Sequence, residues 1–128
     1  MSGDHLFTGT ASGQEVTIVM RKMLGKITMA EFGVIRDYPF LMGLQLGFKL
    51  GDGSMVCDGG KYTVNMSSSY KWTSEKEKHE AIKHVMEMTY NLLKDAKVKY
   101  VSDLVDIPVE VTLDGNAFHD FRILTEVL

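Results

Sequence analysis

The stretch FLMGLQLGFKL, residues 40–50, decides the fold class that this sequence predicts. In an extended strand successive side chains point to opposite faces of the sheet, so residues two apart share a face. One face of this segment therefore carries only apolar side chains: Phe40, Met42, Leu44, Leu46, Phe48 and Leu50. The other face includes Gly43 and Gly47, and glycine inside a strand weakens it. We therefore expect another piece of backbone close to this face, or a bend in the sheet.

Shorter segments on both sides of this strand predict more of an antiparallel sheet. Residues 16–20 are β-branched and apolar, and Leu24-Gly25-Lys26 predicts a turn into a second strand over residues 27–32. Residues 54–57 and 61–66 predict another pair of short strands, with a glycine-rich turn between them.

After Tyr70 the spacing of apolar residues changes from every second residue to the 3.6-residue period of a helix. Ser74-Glu75-Lys76-Glu77 is a capping box, in which the first and last side chains satisfy free backbone amides. Residues 108–113 and 117–127 predict a hairpin around Asp114-Gly115-Asn116. The predicted fold is α+β: an antiparallel sheet of about five to seven strands, one long helix over about residues 74–96 packed on one face, and a C-terminal β-hairpin.

The length and composition indicate one folded domain. The chain has 128 residues, of which 45% are hydrophobic and 24% are charged. These values are near the globular average and exclude a disordered, a collagen-like and a coiled-coil chain. Residues 1–15 are small and polar without a sustained period, so we predict a flexible N-terminal arm there. Residues 16–128 are predicted to form a single α+β domain.

Charge, hydropathy and cysteine usage exclude several partners and compartments. No apolar run reaches the roughly eighteen residues of a membrane span, and the N-terminus lacks the layout of a secretory signal. The net charge of -3, with interspersed charges, provides no basic surface for duplex nucleic acid. The single cysteine, Cys57, excludes an internal disulfide and suits a reducing compartment. We therefore expect a cytoplasmic protein with no membrane and no duplex nucleic-acid partner.

Patterns typical of catalysis, metal binding and phosphate binding are incomplete in this sequence. His79 and His84 are five residues apart, about 140° around a helix, so they do not converge on one ion as i, i+4 histidines do. Cys57 lies beside Asp58, whose negative charge disfavours a reactive thiolate. The Gly25-Lys26 pair lacks the upstream glycine and the following helix of a phosphate loop. We predict no catalytic residue, no metal site and no cofactor.

Two further features have more than one interpretation. Asp58-Gly59-Gly60-Lys61 is either a plain hairpin turn or a nest of exposed amides that binds an anion. The nine methionines either fill the core or line an adaptable binding or subunit surface. A small domain that exposes some of its methionines tends to self-associate, so we expect a homo-oligomer.

Arginine and aromatic residues form the constellation that most indicates binding. The chain has three arginines beside eleven lysines, and the candidate ligand-binding residues are Arg36, Asp37, Tyr38, Tyr70, Trp72 and Arg122. Scarce arginine near aromatic rings suits a planar anionic ligand such as a nucleotide, through bidentate pairing and stacking. The alternative is structural: Arg36 pairs with Asp37 or another acid, and Trp72 packs at the entrance of the helix.

Three segments resemble an uncharacterised family of small phage and prophage proteins. The first is EFG (residues 31–33) followed by MGLQL (residues 42–46), and the second is AKVK (residues 96–99). The third and most specific is PVEVTLDGN (residues 108–116) with FRILTEVL (residues 121–128). The resemblance covers about residues 27–128 and carries no catalytic motif. It implies a viral origin and the host cytoplasm as the place of action.

Small phage proteins without catalytic residues usually act by binding, so the resemblance implies a binding protein. Our first hypothesis is a non-enzymatic, homo-oligomeric counter-defence sponge that sequesters a nucleotide-derived immune signal, such as a cyclic nucleotide or an ADP-ribose derivative, near a subunit interface. The second is a phage effector that inhibits a host protein through an exposed sheet edge or a methionine-rich patch. The third is a nucleotide-cleaving enzyme that acts through Asp114, His119 or Asp120.

Overall fold

The protein is described by a computed structural model, which covers the backbone of residues 2–11 and 14–128 and the side chains from residue 19 onward. In this part of the chain seven strands form one antiparallel sheet, and one long helix packs on it. The strands are β1 (Ser2–Ala11), β2 (Gln14–Ile35), β3 (Tyr38–Leu50), β4 (Met55–Cys57), β5 (Thr63–Asn65), β6 (Pro108–Asp114) and β7 (Ala117–Ile123), and the helix is α1 (Glu75–Ala96). The predicted α+β architecture with a C-terminal hairpin is confirmed.

The long strand β2 is the centre of the sheet, whose strand order is β4-β3-β2-β6-β7. β1 pairs with the first part of β2, and β5 pairs with β3. Met20 to Met23 pair with both β1 and β6, so these two strands lie on opposite sides of β2. Pairing with β6 ends at Lys26. Among the described residues, the β6 side of β2 therefore has no partner strand over residues 29–35.

The turn predicted at Leu24-Gly25-Lys26 is wrong, because β2 continues through it without a reversal. A side chain at Gly25 would put its Cβ atom 2.4 Å from the carbonyl oxygen of Lys49 on β3. Glycine at this position allows two strands to approach closely and does not end one of them. The chain reverses instead at Arg36 and Asp37, which connect β2 to β3.

The predicted N-terminal arm has regular backbone pairing in most of its length. Ser2–Ala11 pairs antiparallel with the first ten residues of β2, whereas Met1, Ser12 and Gly13 lie outside the described residues. The physical reason is that β3 pairs with β2 only from Gly25 onward, so the backbone groups of the first part of β2 need another partner. The flexibility expected for this arm stays a prediction.

Helix α1 begins and ends close to the predicted residues. The Ser74 side chain accepts a hydrogen bond from the Glu77 amide at 3.1 Å, as a helix N-cap does. At the other end Lys97 has a left-handed backbone (φ 59°), and its amide donates to Leu93 and Lys94 carbonyl oxygens. The buried face of the helix is formed by Val85, Thr89, Leu92 and Ala96.

The core lies between α1 and the middle of the sheet. Phe48 on β3 is fully buried, and its ring stacks on Phe118 of β7 with centroids 5.2 Å apart. The largest fully buried side chains are Phe48, Ile27, Leu44, Leu46, Leu104, Leu113, Val109 and Val111. The alternating pattern of residues 40–50 is therefore confirmed for its last four apolar residues. Phe40 and Met42 are 44% and 42% exposed, because the core does not extend to this end of the sheet.

The close approach expected at the glycine face of β3 is also confirmed. Gly43 is buried against β5, and its backbone has a φ of +154°, which side chains with a Cβ atom rarely adopt. A Cβ atom at Gly43 would lie 2.3 Å from the Tyr62 carbonyl oxygen. A Cβ atom at Gly47 would lie 3.2 Å from the Met29 Cβ atom. The glycine face is therefore filled by neighbouring strands.

Candidate functional site

The turn between β2 and β3 carries three of the predicted ligand-binding residues. Arg36, Asp37 and Tyr38 are all exposed there. No carboxylate among the described side chains lies within 4.0 Å of the Arg36 guanidinium, so the structure does not form the alternative ion pair with Asp37. The Tyr38 ring contacts Phe40 edge-on, with centroids 6.2 Å apart at 75°. An arginine without a carboxylate partner among the described side chains thus precedes an exposed aromatic pair by two residues.

A second aromatic pair lies at the same end of the sheet. The Met66 amide donates to the Phe40 carbonyl oxygen at 2.7 Å, and the chain then turns with a hydrogen bond from Tyr70 to Ser67. The rings of Tyr70 and Trp72 follow this turn and meet edge-on, with centroids 4.8 Å apart. Five of the six predicted residues therefore belong to one end of the molecule. Phe40 was not among them, because its alternating pattern predicted a core residue.

Arg122 lies elsewhere and is already engaged in ion pairs. Its guanidinium donates to Glu110 and Glu126, each at 3.1 Å. Hydrogen bonds to Glu126 and Glu110 raise the pKa of Arg122, and the same contact lowers the pKa of Glu126. Arg122 therefore forms a structural ion pair, which is the role that the alternative interpretation gave to Arg36. The sequence contained one signal for the pair with Glu110: the hairpin at Asp114-Gly115-Asn116 places residues of β6 and β7 opposite each other.

The register of the sheet also sets Arg122 apart from the turn. Arg122 opposes Glu110, which opposes Leu24 on β2, twelve residues before Arg36. The sheet curves between these points, since the rings of Tyr62 and Phe121 lie 6.1 Å apart. The ion pairs of Arg122 are therefore the main reason to leave it out of the site at the turn.

A groove between α1 and β7 has a volume of about 930 Å³. Its cationic lining residues are Lys61, Lys83 and Arg122, and its acidic ones are Glu80, Glu87, Asp95 and Asp120. Because the acidic side chains outnumber the cationic ones, this groove does not favour a polyanion. No sequence pattern predicted it, since its two walls are far apart along the chain.

The residues of the enzyme hypothesis do not form an acid–base arrangement in the described structure. His119 is exposed at a β-bulge of β7, and the Asp120 carboxylate accepts a hydrogen bond from the Phe121 amide. The nearby Tyr62 hydroxyl is buried without a hydrogen-bond partner. Burial, and then the charges of Asp120 and Asp58, raise the pKa of Tyr62 well above its usual range. Tyr62 is therefore a neutral phenol at physiological pH and a poor general base.

The Asp58 side chain, at the start of the turn after β4, accepts hydrogen bonds from nearby backbone amides. Asp58 is buried, and its two carboxylate oxygens accept hydrogen bonds from the amides of Leu46 at 2.9 Å and Gly60 at 3.0 Å. Burial raises the pKa of Asp58, and these two hydrogen bonds act in the opposite direction. The Gly60 amide already has an acceptor, which disfavours an anion nest. The hairpin-turn interpretation is wrong, because β4 and β5 each pair with β3 and not with each other.

Metal sites, membrane spans and similarity to known proteins provide no further assignment. Among the described side chains, no group of three or more histidine, cysteine, aspartate or glutamate residues could hold a metal ion. The helices in the described part of the chain are too short or too polar to cross a membrane. Comparisons of the chain with protein-family models, with curated proteins and with solved structures found no match. The resemblance to phage proteins stays a prediction from the sequence.

Proposed function

We propose that this protein is a non-enzymatic, phage-encoded sponge of the host cytoplasm that sequesters a planar anionic ligand of the nucleotide class. The ligand binds at the β2–β3 turn. Support for this comes from Arg36, which has no carboxylate partner among the described side chains and is two residues before the exposed Tyr38–Phe40 pair in the same turn region. The Tyr70–Trp72 pair at the same end provides further aromatic surface.

The chemistry of these side chains matches the two parts of a nucleotide. A guanidinium donates two parallel hydrogen bonds to phosphate oxygens, a geometry that lysine does not provide. An aromatic ring stacks on any base, worth about 1–3 kcal/mol per base. Arg36 would hold the phosphate and Tyr38 the base, whereas Arg122 is excluded by its ion pairs with Glu110 and Glu126.

Titration with nucleotides tests this proposal directly. Trp72 is the single tryptophan of the chain, so its fluorescence reports binding at this end of the sheet. We expect cyclic dinucleotides or ADP-ribose derivatives to change the fluorescence. Arg36→Ala should weaken binding by about 10- to 100-fold, the value of a hydrogen bond to a charged group. Calorimetry under the same conditions provides an independent dissociation constant.

Arg122→Ala is the matched control, since it removes another exposed arginine, one that is held in ion pairs with Glu110 and Glu126. It should bind the ligand as tightly as the wild type. Equal losses in both variants, or no loss in Arg36→Ala, would place the site elsewhere. Mass spectrometry of the recovered ligand separates the sponge from the enzyme, because a sponge returns its ligand unaltered.

Inhibition of a host protein is the second candidate, and the free edge of β2 favours it. Among the described residues, the strand over residues 29–35 has no partner on its β6 side. A strand of another protein adds to such an edge through main-chain hydrogen bonds. This candidate predicts a stable complex with one host protein and no affinity for nucleotides, so the same titration distinguishes it from the sponge.

A further inference from the structure

The apolar face of the sheet continues past the end of the core. Phe32 opposes the buried Leu44, and Val34 opposes Met42. Directly opposed residues of antiparallel strands share a face, so these side chains continue the face on which the core is built.

Two more residues extend this face toward the β2–β3 turn. Phe40 is two residues from Met42, and Met66 bonds to Phe40 through its amide. We call the set Phe32, Val34, Phe40, Met42 and Met66 the hairpin face. Its side chains are between 39% (Phe32) and 59% (Val34) exposed. These exposures show that neither α1 nor any other described element covers them.

The exposed area of the hairpin face is close to what a stable interface needs. With side chains of roughly 200 Å² each, these exposures leave about 450 Å² of apolar surface in contact with water. A standard interface buries about 800 Å² per partner, of which roughly 60–65% is apolar. The hairpin face therefore supplies nearly the whole apolar part of one side of such an interface.

We propose that the hairpin face is a homodimer interface, packed against the same face of a second copy of this chain. In a two-fold symmetric interface the same patch lies on both sides, so an apolar patch packs against an apolar patch. The hairpin face contains no charged side chain. Its two methionines adapt in shape to a partner surface. Two sheets packed face to face at about 10 Å bury both apolar faces together.

The dimer goes beyond the proposed ligand binding and does not depend on it. Arg36 and Tyr38 lie at the rim of the hairpin face, and interface rims are polar and accessible to solvent. Phe40 belongs to the hairpin face and would be buried in the dimer, so each copy of the ligand site beside the interface would consist of Arg36 and Tyr38.

Light scattering on the purified, ligand-free protein tests this interface. The wild type should have twice the mass of one chain at micromolar concentration. Val34→Lys should weaken dimerisation by at least about 30-fold, the effect of losing one central interface residue, and should run as a monomer. Val34 is exposed, so the variant should stay folded, and circular dichroism checks this.

Met86→Lys is the matched control, because Met86 is 58% exposed on α1 and lies outside the hairpin face. It should remain a dimer. A monomeric wild type, a dimer that forms only with nucleotide, or equal masses for both variants would overturn the interface.

Nucleotide titration of Val34→Lys tests the two proposals separately. A folded monomer that binds nucleotide as the wild type does supports both the dimer interface and the ligand site. If the protein forms dimers but binds no nucleotide, only the proposed ligand site is wrong.

Discussion

Gly43→Ala is expected to lower the free energy of unfolding by about 3–5 kcal/mol, combining backbone strain with overpacking. The alanine Cβ atom would lie 2.3 Å from the Tyr62 carbonyl oxygen and 2.8 Å from the Thr63 Cα atom. Both are backbone atoms, so relief requires β5 to move away from β3. The φ of +154° adds strain that the displacement does not remove. Urea denaturation followed by circular dichroism measures the loss.

Gly33→Ala is the control for this change, because Gly33 is the direct cross-strand partner of Gly43. No atom lies within 4 Å of the Cβ position at Gly33. We expect a stability change between zero and a gain of about 1 kcal/mol, from the smaller entropy of the unfolded chain. Equal losses in the two variants would show that close packing of β5 is not the reason for glycine at position 43.

Asp58→Ala is expected to cost about 2–3 kcal/mol, because it leaves the buried Leu46 amide and the partly buried Gly60 amide without this acceptor. The Asp58 carboxylate accepts from Leu46, a fully buried residue, and from Gly60 in the following turn. Water cannot replace this acceptor at Leu46 without opening the contact between β3 and the turn. Denaturation at neutral pH measures the cost. A loss below about 0.5 kcal/mol, the range of ordinary surface changes, would contradict this role.

The pH dependence of Asp58 has a sign opposite to that of most carboxylates. Burial raises the pKa of Asp58 above its ordinary 3.8, so the folded protein binds this proton more tightly than the unfolded chain. The contribution of Asp58 to stability therefore falls as pH rises from 3.8 through the raised pKa, and is constant above it. Carboxylates with a lowered pKa, such as Asp52 and Glu126, have the opposite slope.

Asp58→Asn isolates this contribution. The other carboxylates are the same in both proteins, so their slopes cancel in the difference between wild type and variant. That difference in unfolding free energy should decrease as pH rises from below 3.8 toward neutrality. A difference that increases with pH would mean that the two amide hydrogen bonds outweigh burial.

Local sequence signals determined the elements that depend only on neighbouring residues. Ser74 and Glu77 mark the start of α1, because a side chain caps an amide three residues away. Asp114-Gly115-Asn116 marks the last hairpin, where Gly115 has a φ of +61°. The alternation in residues 40–50 similarly determined a strand and its apolar face. Arg36 and Tyr38 lie in the same region because they are two residues apart in the sequence.

Only the tertiary structure decided the features that depend on distant segments. Gly25 signals a turn when read alone, but β3 packs against it and β2 continues. Arg122 resembles a ligand-binding arginine until β6 brings Glu110 beside it. Phe40 and Met42 have a core pattern, and their exposure depends on how far the core extends along the sheet. Periodicity specifies which side chains share a face, whereas burial and charge pairing depend on what packs against that face.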